Sequence, residues 1–488
     1  MNYMKYKPTI GLEIHVELKT KTKMFCNSLN DPDEKHPNVN VCPVCMAHPG
    51  TLPVINEDAV KKVLMAGKAL NGKLADYSRF DRKNYFYPDL PKGYQISQYK
   101  YPLVEGGNLN GVKITRIHLE EDTGRLIHGK DGSLIDFNRA GVPLMELVTE
   151  PDIESGEQAS KFSKELQLIL RYLDVSDADM EKGQMRVEAN ISLKPKSVFG
   201  CRTEDGLRLL GTKVEIKNLN SFRAVEQAIN YEIERQAEIL DEDKKILQET
   251  RGWSAQGGEN KQKTFSQREK EESHDYRYFP EPDLPALQLS TLDFQLSIPE
   301  LPKDKRERFK KEFNLKDEQI EIIIQDKKGA EFFEETVSDL AVKPPSGGFT
   351  ALAANYFISD LQGIMKEKML TFDELLLTPE NFAELISMIA KNEITSRVAK
   401  DVLRMMIEKG GDPSVIVGEQ GLKQTTDESD IEELAQKIIK ENPKVAEDYK
   451  SGKETALQFL IGQGMKLTKG SVSPEILAKK IKELIIKL

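Results

Sequence analysis

The sequence of 488 residues has no long apolar run. No stretch approaches the roughly 20 consecutive apolar residues that a membrane span requires. Residues 1–8 are polar and contain no apolar signal segment. We therefore expect a cytoplasmic protein that makes no membrane contact.

Cysteine and histidine are scarce, with four and six residues respectively, and all of them lie before residue 275. The last 214 residues contain neither type. Because these side chains supply many nucleophiles and metal ligands, we expect any chemistry in the N-terminal part of the chain. The C-terminal part would then serve binding, positioning or assembly and not the chemistry itself.

Several common catalytic motifs are absent. The chain has no G-x-x-x-x-G-K-[ST] loop, no G-x-G-x-x-G after a strand, no G-x-S-x-G elbow and no H-E-x-x-H helix. It also lacks the Ser- and Gly-rich nucleophile loop of an amidase. If the protein uses ATP, it must bind ATP at an acidic site on a sheet.

Three segments alternate between apolar and polar residues: Thr9–Leu18, Met185–Leu193 and Lys213–Lys217. A period of two predicts half-buried strands, because successive side chains point to opposite faces of a sheet. The polar faces combine acidic, imidazole, amide and cationic groups: Glu13, His15, Glu17, Arg186, Glu188, Asn190, Lys213, Glu215 and Lys217. Acidic ligands beside fixed cations suit a magnesium–nucleotide site.

Two further segments, Arg116–Gly124 and Asn138–Pro151, are dense in acidic residues: Glu120, Glu121, Asp122, Glu146 and Glu150. A single glutamate on a strand is usually just solvated. Carboxylates that lie close together repel one another, however, and a divalent cation relieves that repulsion. We therefore expect these segments to contribute to the same metal site.

The N-terminal part mixes strands with a few helices. Helical periodicity predicts helices over Asn56–Asn71, Glu157–Leu173 and Ser221–Leu240. Because the strands and helices interleave without a clean βαβ repeat, we predict an α+β domain over residues 1–297.

The pattern beyond a proline-rich boundary near Ile298–Lys303 is almost purely helical. A break at Gly410–Pro413 divides it, so we predict a helical domain over residues 298–408 and a tail domain over 409–488. Residues 449–488 hold eight lysines against three glutamates. Such a basic segment is typical of a solvated helical face or of a surface that contacts a nucleic acid backbone.

Cys26, Cys42 and Cys45 form a C-x15-C-x2-C array. In a cytosolic protein this spacing indicates a structural zinc site, which normally has four ligands. The fourth ligand could be His36, His48 or Cys201, or the array could be a set of partly buried thiols without metal.

Residues 81–98 (DRKNYFYPDLPKGYQISQ) place Lys83 and other basic residues among aromatic ones. Such a loop can stack on a base. The alternative is a packed loop without a ligand.

Long motifs resemble the family of the B subunit of aspartyl/glutamyl-tRNA amidotransferase (GatB). The resemblance spans nearly the whole chain and includes IGLEIHVEL, CPVCMAHPGTLP, DRKNYFYPDLPKGYQISQY, HLEEDTGR, NRAGVPLMELVTEPDI, MRVEANISL, GTKVEIKNLNSFRAVEQAINYEIERQ, DYRYFPEPDLP and GKETALQFLIGQGMKLTKGSVSP.

The resemblance implies a ligase that uses ATP and Mg²⁺. Such a protein forms a heterotrimer with an amidase subunit and a small third subunit. It phosphorylates the side-chain carboxylate of Glu on tRNA(Gln) or Asp on tRNA(Asn), and ammonia that the partner releases from glutamine then forms the amide. The N-terminal domain would be a glutamine-synthetase-like cradle, and the helical tail would bind the misacylated tRNA.

The resemblance also implies residue roles. Magnesium ligands would be Glu13, His15, Glu121 and Glu146, and Glu188 would hold a second metal or the substrate. Nucleotide or phosphate contacts would come from Arg186, Asn190, Lys213, Lys217 and Lys83. Two positions depart from the family pattern: Ser28 stands where zinc-bearing members have cysteine, and Glu188 stands where many members have aspartate.

Two other functions compete with the ligase function that the resemblance implies. A pure tRNA-binding or assembly factor would be expected to have lost Glu13, His15 or Glu121, and all three are present. A free-standing ATP–carboxylate ligase would need neither the helical C-terminal part nor its basic end.

Overall fold

The computed structural model describes residues 5–198, 210–254, 263–269, 276–291, 295–341, 348–424, 428–468 and 470–487. The chain divides into two compact units, Met1–Leu301 and Pro302–Leu488. The first unit is rich in strands and the second is helical. This succession confirms the coarse prediction; the likeness to glutamine synthetase and the division of the helical part at residue 408 stay predictions.

Among its described residues, the first unit has one large sheet, three small ones and three long helices. Its strands are β1 (Tyr6–Glu17), β2 (Lys73–Leu74), β3 (Tyr77–Ser78), β4 (Asp81–Asn84), β5 (Tyr94–Ser97), β6 (Val104–Glu105), β7 (Asn108–Leu109), β8 (Val112–Glu121), β9 (Arg125–Gly129), β10 (Gly132–Asp136), β11 (Pro143–Thr149), β12 (Met185–Pro195), β13 (Val214–Leu219), β14 (Glu249–Ser254), β15 (Lys263–Glu269), β16 (Phe279–Pro280) and β17 (Leu287–Gln288). Its helices are α1 (Glu57–Ala69), α2 (Gly156–Tyr172) and α3 (Phe222–Asp241). The three predicted strands and three predicted helices are confirmed to within three residues at each end.

Each of the three helices begins at a residue whose side chain caps it. Asn56, Ser155 and Ser221 accept hydrogen bonds from backbone N–H groups in the first turns of α1, α2 and α3. Such a cap stabilises a helix by about 1 kcal/mol, because it satisfies an N–H group that has no partner within the helix. The caps explain why these helices begin where they do.

The large sheet has the order β15-β14-β13-β12-β1-β11-β8-β6-β2, with β7 beside β8. Neighbours are antiparallel except for β13 and β14. Apolar residues of β1, β8, β11 and β12 form one core with α1, α2 and α3, so that Ile14, Met145 and Val187 are fully buried. The opposite face of the same strands carries their polar residues.

The second unit consists of short helices. They are α4 (Pro302–Phe313), α5 (Asp317–Ile323), α6 (Lys327–Ala341), α7 (Gly348–Tyr356), α8 (Gln362–Lys368), α9 (Pro379–Ala390), α10 (Ser396–Lys409), α11 (Pro413–Gln420), α12 (Glu428–Glu441), α13 (Pro443–Lys450), α14 (Glu454–Leu467) and α15 (Pro474–Lys487). Helices α12 to α15 enclose an apolar core that includes Ile438, Leu460 and Ile481. Within the described ranges, every helix is too short or too polar to cross a bilayer.

Candidate functional site

A row of charged side chains crosses three neighbouring strands on the polar face of the large sheet. His15 of β1 lies opposite Glu146 of β11, and Glu146 lies opposite His118 of β8. Directly paired residues on neighbouring strands share a face of the sheet. As a result, Nε2 of His15 lies 3.4 Å and Nε2 of His118 lies 3.3 Å from Oε2 of Glu146.

Two overlapping sets of ligand atoms surround Glu146. One set is Glu13, His15 and Glu146, and the other is His118, Glu120 and Glu146; within each set the atoms lie within 4.8 Å of one another. Glu120 and Glu146 are buried. Several buried carboxylates in one place require compensation by cations, and carboxylate oxygens are the ligands that Mg²⁺ prefers. This donor set therefore suits a divalent cation.

A third set of ligand atoms lies on the same face, one strand further along the sheet. It consists of Glu13, Glu188 and Glu215. Lys217 lies beside it, with Nζ 2.9 Å from an Oε of Glu188. Oδ1 of Asn190, which lies opposite Glu215, is buried and has no hydrogen-bond partner among the described residues. The predicted residues Glu188, Asn190 and Lys217 thus lie next to the predicted residue Glu13.

The carboxylates control the protonation of His15. Burial lowers the pKa of His15, but hydrogen bonding and the charges of Glu146, Glu120 and Glu13 outweigh burial and raise it to about 9. Burial raises the pKa of Glu146, yet the imidazoles of His118 and His15 hold it well below its usual range. Burial and then the charge of Glu146 raise the pKa of Glu13. Without metal, His15 therefore keeps a proton that a cation would have to displace.

The structure does not bring Glu121 into this group, contrary to the sequence-based expectation. Glu121 points to the opposite side of β8, where it accepts hydrogen bonds from Nζ of Lys92 (2.6 Å) and from the backbone N–H of Ile96 (2.9 Å). Its neighbour Glu120 lies 3.5 Å from Nε2 of His15 instead. The reason is the period of two along a strand: only one of two adjacent glutamates can face the cluster.

Three residues near the cluster are absent from the ligand set that the resemblance implies: His118, Glu120 and Glu215. Of these, Glu120 belongs to an acidic segment that was predicted to contribute to the metal site. The spacing His118-x-Glu120 was the available signal, because residues two apart on a strand share a face. Glu215 lies on the polar face of the third predicted strand, between Lys213 and Lys217, the predicted phosphate contacts.

Arg186 lies at the edge of the cluster. Its guanidinium donates to Asp122 at 2.7 Å, and Nε of Arg139 lies 3.5 Å from the same carboxylate. Burial and then the charge of Asp122 raise the pKa of the neighbouring Glu17 to about 8. Lys213, in contrast, is exposed and directly precedes β13.

Lys83 of β4 approaches the cluster from among the aromatic residues. Its Nζ lies 5.1 Å from the ring centroid of Tyr276 and 6.0 Å from that of Tyr85. Burial lowers the pKa of Lys83, but the charges of Glu120, Tyr278 and Glu146 outweigh burial and raise it. The predicted nucleotide-contacting lysine is thus brought within electrostatic range of the predicted metal ligands.

A separate group of thiols lies in the loop after β1. The Sγ atoms of Cys26, Cys42 and Cys45 lie within 4.8 Å of one another. Of the predicted fourth ligands, His36 bonds to Glu34, and His48 lines a cavity of about 190 Å³ together with Cys26 and Cys45. Cys201 lies outside the described residues.

The fold and the site define a class of protein: a sheet-based catalytic unit with a carboxylate and imidazole cluster, followed by a helical unit. Residues 8–294 match the family model of the GatB/GatE catalytic domain, and residues 331–485 match the model of the GatB domain.

Full-length relatives agree with these matches. The B subunit of the aspartyl/glutamyl-tRNA(Asn/Gln) amidotransferase of Persephonella marina is 44% identical over 493 residues, which cover 99% of this chain and 100% of the relative. The same subunit of Thermoanaerobacter pseudethanolicus is 45% identical over 496 residues, with 99% and 100% covered. That of Synechocystis sp. is 42% identical over 504 residues, with 98% of each covered. The chain therefore belongs to the family of the aspartyl/glutamyl-tRNA(Asn/Gln) amidotransferase B subunit.

Proposed function

We propose that the chain is the kinase and transamidase component of a tRNA-dependent amidotransferase. It phosphorylates the side-chain carboxylate of Glu on tRNA(Gln), of Asp on tRNA(Asn), or of both, and completes the amide with ammonia. The observation that carries this proposal is the group of partly exposed Glu13 and His15 with buried Glu120 and Glu146, within the electrostatic range of Lys83. The names of the relatives supply the substrate class.

The reaction needs an activated carboxylate, because a free carboxylate is a poor electrophile for ammonia. A carboxylate oxygen attacks the γ-phosphorus of ATP, the bond to the bridging oxygen breaks, and ADP leaves. Ammonia then attacks the acyl carbon, the bond from carbon to the phosphate oxygen breaks, and the nitrogen loses a proton as the amide forms. Catalysis of such a transfer consists mainly of positioning and charge neutralisation.

Each part of the cluster has a role in this proposal. Glu13, His15, Glu120 and Glu146 would hold Mg²⁺, which when bound neutralises charge on the phosphate oxygens. Lys83 would donate hydrogen bonds to the transferring phosphoryl group, since its ammonium faces the cluster. Lys217 and Asn190 would orient the nucleotide or the aminoacyl end from the neighbouring strand.

The proposal also requires partners. The chain carries no amidase motif, so a partner amidase, together with a small third subunit, would release ammonia from glutamine. The basic tail would bind the misacylated tRNA. Lys479 and Lys482 of α15 are exposed, whereas Lys480 pairs with Glu432 at 2.8 Å.

The test is an amidation assay with the reconstituted complex. Glu-tRNA(Gln) and Asp-tRNA(Asn), each labelled in the amino acid, would be incubated with glutamine or ammonium, with and without ATP and Mg²⁺. We expect labelled glutamine or asparagine only when ATP is present. A complex that binds both tRNAs but amidates neither would favour the binding-factor alternative and reject the proposal.

A further inference from the structure

The thiol group has the geometry of a metal site in which three ligands are sulfur. The Sγ atoms of Cys42 and Cys45 are 3.8 Å apart, and all three thiols lie within 4.8 Å of one another. Zn–S bonds of 2.3 Å in a tetrahedron place sulfurs about 3.8 Å apart. Small side-chain rotations would therefore close these thiols around one ion.

Ser28 lies beside one of the three thiols, that of Cys45. Oγ of Ser28 lies 3.8 Å from Sγ of Cys45, and the carbonyl of Ser28 accepts the backbone N–H of Lys23, which fixes the turn. A neutral hydroxyl is a much weaker zinc ligand than a thiolate. Within the described part of the chain, the set of clustered ligand atoms stops at the three cysteines.

The charge of the buried Lys23 side chain balances the charge of three thiolates that hold one Zn²⁺. Lys23 is only 1% exposed, and its Nζ lies 3.8 Å from Sγ of Cys45 and 3.2 Å from the carbonyl oxygen of Phe137. A buried ammonium needs a compensating negative charge. Three thiolates, one Zn²⁺ and one ammonium sum to zero, whereas a fourth thiolate would leave a buried net negative charge.

Two of the three cysteines, Cys26 and Cys45, line a cavity of about 190 Å³ together with His48, Lys92 and Glu121. Because a water molecule takes about 30 Å³ of liquid volume, this cavity can hold water or a small ligand next to these two thiols. Zinc sites with three protein ligands keep such a position for an exchangeable ligand.

We propose that Cys26, Cys42 and Cys45 hold one zinc ion through three thiolates and that its fourth position, beside Ser28, takes an exchangeable water or small ligand. The site would then be open to small donors from solution, unlike a closed four-ligand structural site. This inference is independent of the proposed amidation activity.

The test is spectroscopy of the full-length protein after zinc is replaced by Co²⁺ under anaerobic conditions. We expect one Co²⁺ per chain, a sulfur-to-cobalt charge-transfer band of three thiolates, and visible bands that shift when imidazole is added. Ser28→Cys supplies a fourth thiolate, so its charge-transfer intensity should rise by about one third, and imidazole should no longer shift its spectrum.

Two variants test the competing fourth ligands without depending on the folding of the Ser28→Cys protein. Cys201→Ser and His48→Ala should leave both the cobalt spectrum and its response to imidazole unchanged. The proposal would be overturned if the spectrum changed in either variant, if imidazole did not shift the wild-type spectrum, or if the protein failed to bind Co²⁺.

Discussion

The two candidate metal sites of the N-terminal unit are assembled in opposite ways. The thiols come from one loop, Cys26 to Cys45, whose ends are held by short-range backbone hydrogen bonds from Lys23 N–H to the carbonyl of Ser28 and from Met46 N–H to the carbonyl of Cys42. The carboxylate and imidazole cluster takes residues from β1, β8, β11, β12 and β13, which lie far apart in the chain. A local site can be recognised from residue spacing, whereas a site across a sheet depends on strand register, and a slip of one residue would turn every side chain to the other face.

The largest expected effect is at Glu146, where the two imidazoles meet. Glu146→Gln should lower the rate of amidation by about a thousandfold, because removal of one charge-stabilising group costs about 10²–10³ and this carboxylate is shared by both sets of ligands. Binding of tRNA should change less than about twofold, since the proposed function assigns this carboxylate to the phosphoryl site and tRNA binding to the tail. The measurement is the initial rate of ATP-dependent amide formation.

The matched control is Glu157→Gln, because Glu157 is exposed on α2 and pairs only with the surface residue Lys161 in the described contacts. It should keep the wild-type rate. If the Glu146→Gln protein retained a tenth of the activity or more, the shared-ligand role would be wrong.

The adjacent residues Glu120 and Glu121 test the strand register directly. Glu120→Gln should raise the Mg²⁺ concentration for half-maximal amidation by about tenfold, because Glu120 faces His15. Glu121→Gln should leave that concentration unchanged, since Glu121 binds Lys92 and Ile96 on the other side. The measurement is a Mg²⁺ titration of the amidation activity of both variants. If Glu121→Gln raised the Mg²⁺ concentration for half-maximal activity and Glu120→Gln did not, Glu121 would belong to the cluster.

The pKa of His15 predicts how pH affects metal-free protein. His15 gains a proton more readily when folded, with a pKa of about 9 against an ordinary value of 6.5. Its protonation therefore stabilises the fold fully below pH 6.5, and this contribution is lost as pH rises to 9. Because Mg²⁺ must displace the proton, added Mg²⁺ should raise the unfolding temperature more at pH 9 than at pH 7. An equal rise at both pH values would exclude His15 as a ligand.

The smallest effect is expected in the tail. Replacing both Lys479 and Lys482 by Gln should weaken tRNA binding severalfold and reduce its salt slope by about two, because each phosphate contact contributes about one to that slope. Lys310→Gln is the control, since Lys310 pairs with Asp317 on the surface of α4 and α5. The measurement is the affinity for tRNA at several salt concentrations. An unchanged salt slope in the double variant would indicate that this part of α15 is a solvated helical face.

Much of the first unit could be predicted from local patterns. The period of two located β1, β12 and most of β13, and the helical period located α1, α2 and α3. These features depend on contacts between near neighbours in the chain, and the sequence contains that information directly. The small strands of two residues, such as β2 and β6, carry no such pattern and could not be predicted.

The sequence by itself determined which residue types are available: acidic residues and histidine in the N-terminal part, three closely spaced cysteines, and lysines at the end. Only the tertiary structure decided which of them meet. It brought Glu120 and His118 to His15 and Glu146, and it turned Glu121 toward Lys92. The physical reason is that the register between distant strands is set by the burial of their apolar faces against a common core, and no short segment of the chain contains that information.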